Sequence, residues 1–222
     1  MTIRVYTISG APRPWRVLLG LIFKELDFET VVLKASEGEH KAEPFLSLNP
    51  RGTVPVVVDG AVTIRDSIAA LAWLDRAYPD PPLFGVEADE AARIWQHVTE
   101  FADYLRAAVD GLLTPVFFEN AHEATPELLK AAYAAKVELA ALERALESAP
   151  FGVGEMPCAA DAIAFPEVRL IQRAIDTKPG IMSEIGLQDI YGQFPRIGTW
   201  VERVEALPGY EKTQPHHWKE AA

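Results

Sequence analysis

Val54-Pro55 and Asp66-Ser67 are the residues of this chain whose types and spacing most directly suggest chemistry. Val54 to Val58 is a β-branched run and reads as a buried strand. Asn49-Pro50 and Arg51-Gly52 in front of it read as a turn. Pro55 sits near the strand's start, where a missing N–H is tolerated, and a Val-Pro bond can be cis at modest cost. A cis bond there turns the Val54 N–H and C=O away from the ladder, towards the backbone of an added extended peptide. Asp59-Gly60 is a tight-hairpin signal, with residues 61–64 as the returning strand. Asp66-Ser67 then opens a helix, whose unpaired N–H groups and dipole favour a carboxylate. One short segment thus combines a peptide-pairing backbone, a hairpin and an anion-binding helix start. The plainer reading is a strand-turn-strand-helix in which Asp66-Ser67 only caps.

The elements that must position these residues follow from periodicity. Residues 3–8 form a strand candidate and residues 9–14 a loop. Residues 15–26 read as a helix with Val17, Leu18, Leu21 and Ile22 on one face. Residues 28–33 are a second strand, 35–40 are polar, and 43–48 are a short helix. Residues 66–77 are a helix with Ile68, Leu71, Ala72 and Leu74 inward. Three prolines, Pro79, Pro81 and Pro82, end it and stiffen a linker. Beyond the linker the periodicity is helical throughout. Ala91, Ile94, Trp95, Val98, Phe101, Ala102, Leu105, Val109 and Leu112 keep one helical spacing. Thr125-Pro126-Glu127 is an N-cap, a first-turn proline and a first-turn acid. Further helices start near Cys158 and run over about residues 195–207.

Composition narrows the classes of function. The chain has 222 residues, 49% hydrophobic and 24% charged, an ordinary globular balance. Its net charge of −11 repels phosphate backbones and argues against nucleic-acid binding. The one cysteine, Cys158, rules out an internal disulfide and fits a reducing compartment. No apolar run is long enough to span a bilayer, so no membrane partner is expected. Met1-Thr2-Ile3-Arg4 enters a strand pattern without a leader's apolar region, which predicts a cytoplasmic protein. His97, His122, His216 and His217 show no i, i+4 pairing with an acid, so no metal is expected. His216-His217-Trp218 reads as a tail, either packed on the chain or loose.

Val54-Pro55 with Asp66-Ser67, the β-α-β-α-β-β-α order and the proline linker resemble the cytosolic glutathione transferase family. A second signature of that family, usually Ser/Thr-x-x-Asp, is matched by Cys158-Ala159-Ala160-Asp161 with Pro166 beyond it. A thiol bonds more weakly than the hydroxyl it replaces, and Asp161 is expected to satisfy first-turn N–H groups still. The resemblance implies an α/β thioredoxin-like N-terminal domain plus an all-α C-terminal domain. Their boundaries would be 1–78 for the glutathione-binding domain, 79–86 for the linker and 87–222 for the helical domain. It also implies a homodimer, glutathione as cosubstrate, and a small electrophile as the second substrate. In the family the residue before the cis proline, here Val54, pairs with the cysteinyl backbone. Asp66 would then meet the γ-glutamyl ammonium, while Ser67 and the helix start take the α-carboxylate. Gly38-Glu39-His40-Lys41 resembles the plant-type branches, which implies His40 and Lys41 at the glycyl carboxylate. Thr53 stands where those branches often carry Gln.

The thiol end departs from the family. Ala11-Pro12-Arg13-Pro14-Trp15-Arg16-Val17 resembles the Ser/Cys-Pro-x-x-x-Arg-Val pattern, and Ala11 occupies the hydroxyl or thiol position. Aligned on Trp15-Arg16-Val17 as in the zeta, or maleylacetoacetate isomerase, type, Ser-Ser-Cys becomes Ala11-Pro12-Arg13. Both alignments lose the activating side chain. The substitutes are the helix start near Pro14, the charge of Arg13, and Ser9 through a bent loop. The electrophile would meet Phe101, Tyr104, Leu105 and Phe117 as well as Ser9 and Arg13. Three functions remain open: thiolate transfer, glutathione-dependent cis-trans isomerisation, and glutathione or ligand binding without catalysis.

Overall fold

The computed structural model describes residues 2–219. Four strands form one mixed sheet in the order β2-β1-β3-β4: β1 Ile3–Thr7, β2 Phe28–Val32, β3 Val56–Asp59 and β4 Val62–Arg65. Ile3, Val5 and Thr7 of β1 are buried in alternation, as a period of two requires. β1 runs parallel to β2, with Ile3 opposite Phe28 and Thr7 opposite Val32. That pairing needs a crossover, which α1 (Pro12–Phe23) supplies. β3 is antiparallel to β1 and closes a hairpin with β4, in which Asp59 pairs with Val62 and Gly60 takes φ +55°.

Several boundaries differ from the sequence reading. β3 starts at Val56 rather than Val54, because Pro55 has no N–H to give to a ladder. α1 begins at Pro12, inside the stretch expected to be a loop. Pro12 and Pro14 fall in the first turn, where N–H groups have no intrahelical acceptor to lose. α1 also ends early, at Phe23, where Glu25 enters the left-handed region at φ +54°. The polar stretch folds into two 3₁₀ turns, Ala35–Glu37 and Glu39–Lys41, followed by the short α2, Phe45–Leu48. α3 is Ser67–Ala77. The proline linker is pinned rather than loose. Asp75 Oδ1 accepts from the N–H groups of Leu83 at 2.6 Å and Phe84 at 3.3 Å. Buried Lys24 donates to the carbonyl of Pro81.

The second unit is helical. α4 (Ala88–Glu100) passes through a π turn at Phe101–Leu105 into α5 (Arg106–Phe118). Ile94, Val98, Phe101, Leu105, Val109 and Leu112 form its buried stripe, whereas Trp95 stays 40% exposed. Thr125 caps α6 (Pro126–Ala145) by accepting from Leu128 N–H at 3.2 Å. α7 (Ala159–Thr177) is the most enclosed helix of this unit, with an unbroken buried run from Ala159 to Val168. Two short helices that the periodicity did not reveal follow, α8 (Pro179–Glu184) and α9 (Ile190–Gln193). α10 (Pro195–Glu205) starts where expected. By contacts, the first compact unit runs to Val86 and takes back the chain from Glu205, while Glu87–Val204 form the second. The expected 87–222 domain therefore loses its last segment, which includes α11 (His216–Lys219), because that segment packs on α1.

Candidate functional site

A cleft of about 240 Å³ opens in the first unit, walled by Arg13, Asn49, Arg51, Thr53, Val54, Pro55, Arg65 and Asp66. Asn49 builds one side of it. Its buried side-chain amide donates to the Thr53 carbonyl at 2.7 Å and to Thr53 Oγ1 at 3.1 Å, while its Oδ1 accepts from Arg51 N–H at 3.2 Å. Gly52 completes the turn at φ +58°. A Cβ there would come within 2.7 Å of the His40 carbonyl oxygen, so glycine is required. The Val54–Pro55 bond is cis, and no ladder register includes Val54, since β3 pairing begins at Val56.

Asp66 stands at the other side, as the N-cap of α3. Its Oδ1 accepts from Ile68 N–H at 2.9 Å and Ala69 N–H at 3.2 Å. Its backbone lies at φ +91°, ψ 137°, sparsely populated for a residue with a side chain. Arg65 ends β4 beside it, and Arg13 projects from the first turn of α1. Three arginines and one aspartate therefore line this cleft, on a chain whose net charge is −11. Such a cleft attracts an anionic molecule against the charge of the whole chain.

Arg13, Thr53, Val54, Pro55 and Asp66 come together as expected. Ser67 is buried at 1% exposure and is not a wall of the cleft. His40 and Lys41 stand behind the Gly52 turn rather than in the wall: Lys41 Nζ donates to the Arg51 carbonyl at 3.1 Å. His40 Nδ1 is buried with no hydrogen-bond partner among the described residues. Ser9 lies off the cleft, its hydroxyl engaged with His217 at 2.8 Å. Ala11 is the N-cap of α1 and makes no side-chain cap bond. Phe101 and Leu105, expected to face an electrophile, are 3% and 0% exposed: core packing of the helical unit claims them. Tyr104 is 65% exposed and Phe117 half-buried. Arg51 and Arg65 also line the cleft, which the sequence did not lead one to expect. Arg51 was legible only as part of a turn, and Arg65 as the end of a strand.

Cys158 is buried and donates from Sγ to Asp161 Oδ2 at 3.1 Å. Burial, then the neighbouring Asp161 carboxylate, pushes its thiol well above the ordinary range. Asp161 accepts from Cys158 N–H, Gly152 N–H and Trp200 Nε1, so it reaches back to the N-cap and across to other elements rather than into the first turn. No group of three or more His, Cys, Asp or Glu side chains suited to a metal occurs among the described residues.

Residues 11–77 match the family model for the glutathione S-transferase N-terminal domain. Over 202 residues the chain is 29% identical to human glutathione S-transferase theta-1, covering 87% of this chain and 78% of that protein. It is 38% identical over 81 residues to glutathione S-transferase Z2 of Arabidopsis thaliana, 36% of each chain. The structure superposes on a glutathione S-transferase from the Antarctic clam Laternula elliptica with a TM-score of 0.84 and 30% identity, over 99% of this chain and 95% of that one. The matched model spans Arg13, Val54 and Asp66 of the cleft, and the last similarity runs the length of both chains: this chain belongs to the glutathione transferase family.

Proposed function

We propose that the cleft binds glutathione and that the chain adds its thiolate to a small electrophile. The observation that carries this reading is the meeting of Val54's unladdered backbone, Asp66 and three arginines in one cleft. Glutathione is a short peptide with two carboxylates, one ammonium and one thiol, and this set of groups complements it. Val54 pairs with the cysteinyl backbone as an added strand would. Asp66 keeps Oδ2 for the γ-glutamyl ammonium while Oδ1 holds the helix. Arg51, Arg65 and the α3 start answer the carboxylates, with His40 and Lys41 behind them on the glycyl side.

Thiol activation must come without a side chain at Ala11. A free thiol titrates near ~8.5, so little is thiolate at neutral pH. The N-terminus of α1 contributes roughly 0.3–1 kcal/mol when exposed and up to ~2 kcal/mol when partly buried. That lowers the thiol by about one to one and a half pH units at most, and Arg13 adds a full charge from the same turn. Binding and orientation supply the remainder of the catalysis. We further propose a homodimer and a cytoplasmic setting, as the family resemblance implies.

The isomerase reading draws support from Trp15-Arg16-Val17 and from the 38% identity of one segment to the Arabidopsis relative named Z2. In it the thiolate adds reversibly to a conjugated double bond and leaves after rotation. Ala11 favours the third reading, binding without turnover. Turnover assays with glutathione decide among them. Thioether formed from chlorodinitrobenzene supports transfer, and isomerised maleylacetone without net thiol loss supports isomerisation. Saturable glutathione binding with neither product leaves a binding protein.

A further inference from the structure

Glutathione brings two carboxylates, and the cleft is lined by three arginines. Each arginine stands on a different element. Arg51 lies on the turn that backs onto His40 and Lys41: Lys41 Nζ donates to its carbonyl at 3.1 Å, and a Cβ on Gly52 would meet the His40 carbonyl oxygen at 2.7 Å. That is the glycyl side of the proposed site. Arg65 pairs with Val56 across the β3-β4 hairpin and immediately precedes Asp66, the cap of α3. That is the γ-glutamyl side. Arg13 belongs to neither. It is the second residue of α1, in the same turn as Ala11, the position that the family resemblance puts at the sulfur. With the two carboxylates answered by Arg51 and Arg65, and the ammonium by Asp66, Arg13 is left at the thiol end.

All three arginines are exposed, and no side-chain hydrogen bond or ion pair engages any of them among the described residues. A guanidinium is a flat fork of five N–H donors that meets a carboxylate at two points. A thiolate is a single acceptor atom and takes only one of those points. The rest of the Arg13 fork stays open to the molecule that comes to the sulfur, which is the electrophile. Apolar surroundings for that molecule are scarce. Phe101 and Leu105 are closed inside the helical unit. The hollow beside Ala11, which Ile8, Trp15, Leu18 and Val32 help to line, measures about 30 Å³, room for about two waters. Six of the eight cleft walls are polar or charged, Val54 and Pro55 being the exceptions.

Resting on the glutathione reading above, we infer that Arg13 selects electrophiles that themselves carry a carboxylate. Before the electrophile arrives, the charge of Arg13 favours the thiolate. The incoming carboxylate then docks on the open side of the fork, and the reacting carbon is held beside the sulfur. With an aryl chloride the thiolate electron pair forms the carbon–sulfur bond. Chloride leaves with the electron pair of the broken carbon–chlorine bond, and the carboxylate is unchanged. Arg13 is thus a specificity-determining residue for the second substrate.

The test compares 4-chloro-3,5-dinitrobenzoate with its methyl ester, which differ in charge at a position remote from the reacting carbon. Each kcat/KM, at saturating glutathione, is divided by the uncatalysed rate with glutathione at the same pH. The ratio of the two quotients cancels any effect on the thiol, which both substrates share. The wild type should prefer the acid by about tenfold or more. Arg13→Ala should lose that preference, and Arg13→Lys, a charge without a fork, should keep only part of it. Arg51→Ala and Arg65→Ala should weaken glutathione binding and keep the preference. Equal quotients in the wild type, or a preference that survives in Arg13→Ala, overturn the inference. If neither substrate turns over, calorimetry of 3,5-dinitrobenzoate into the chain saturated with S-methylglutathione decides alone. Affinity about tenfold weaker in Arg13→Ala then supports the inference, and equal affinity or no binding overturns it. A wild-type chain that gives no binding heat with glutathione removes the proposed function itself, a result distinct from equal quotients.

Discussion

Asp66 caps α3 and faces the proposed glutathione site, and substitution can separate the two roles. One carboxylate oxygen caps α3 through Ile68 and Ala69, and the backbone holds φ +91°. Asparagine caps nearly as well and tolerates positive φ better than most residues, but it has no charge. Asp66→Asn is therefore expected to keep thermal stability while weakening glutathione by about 1–3 kcal/mol, the cost of losing a charged hydrogen bond. Asp66→Ala should lose the same affinity and about 1 kcal/mol of stability besides. Calorimetry paired with thermal melts checks both, and an unaffected affinity in Asp66→Asn would assign Asp66 to capping alone. Arg13→Ala should raise the titration of the bound thiol and lower turnover; if both stay put, Arg13 is a surface charge. Val54, Pro55 and Asp66 were legible because a strand start and a helix cap are local events. Arg51 and Arg65 were not, because their roles depend on two separate turns facing one cleft. The contact of Ser9 with His217 was invisible for a stronger reason: the two lie 208 residues apart.

At the scale of elements, the start of α7 shows what a cysteine does in a capping box. Asp161 is 1% exposed and gathers the N–H groups of Gly152, Cys158 and Trp200. Cys158 beside it is buried, and burial pushes its thiol up. A folded thiol that titrates higher than the unfolded one makes the folded state hold the proton longer. Above ~8.5 the unfolded chain releases that proton first, so stability falls as pH rises through this window, with a limiting slope of about 1.4 kcal/mol per pH unit. Cys158→Ser should flatten that alkaline slope in denaturant titrations. An identical slope in the variant would mean that other groups set it. The native thiol should also resist thiol reagents until the chain unfolds. The element order was readable from periodicity, as was the Thr125 cap. The start of α1 was not, because Pro12-Arg13-Pro14 looks like a loop when first-turn tolerance for proline is set aside. The π turn at Phe101–Leu105 preserved the apolar spacing and so left no trace in it. α8 and α9, with 6 and 4 residues, are too short to show a period.

For the whole molecule, the family resemblance predicts pairing through α3 and the helix beginning at Ala88, where Trp95 is 40% exposed. Sedimentation at micromolar concentration should give twice 24.5 kDa, and a lone 24.5 kDa species would remove the dimer. The charge distribution offers a second whole-molecule test. A cationic cleft on a chain of net charge −11 should bind glutathione less tightly as salt rises, because screening shortens the reach of its arginines. Domain order was legible from the linker prolines, but the return of the last segment to the first unit was not, since it rests on contacts such as Trp15 with Thr213. The cleft walled by Arg13, Arg51, Val54, Arg65 and Asp66 is the proposed glutathione site. Isothermal titration of the wild-type chain and of Asp66→Asn with glutathione checks that assignment. One saturable site per chain is expected in the wild type, with affinity reduced about 5- to 150-fold in the variant. No binding heat in the wild type, or equal affinity in both, would contradict it.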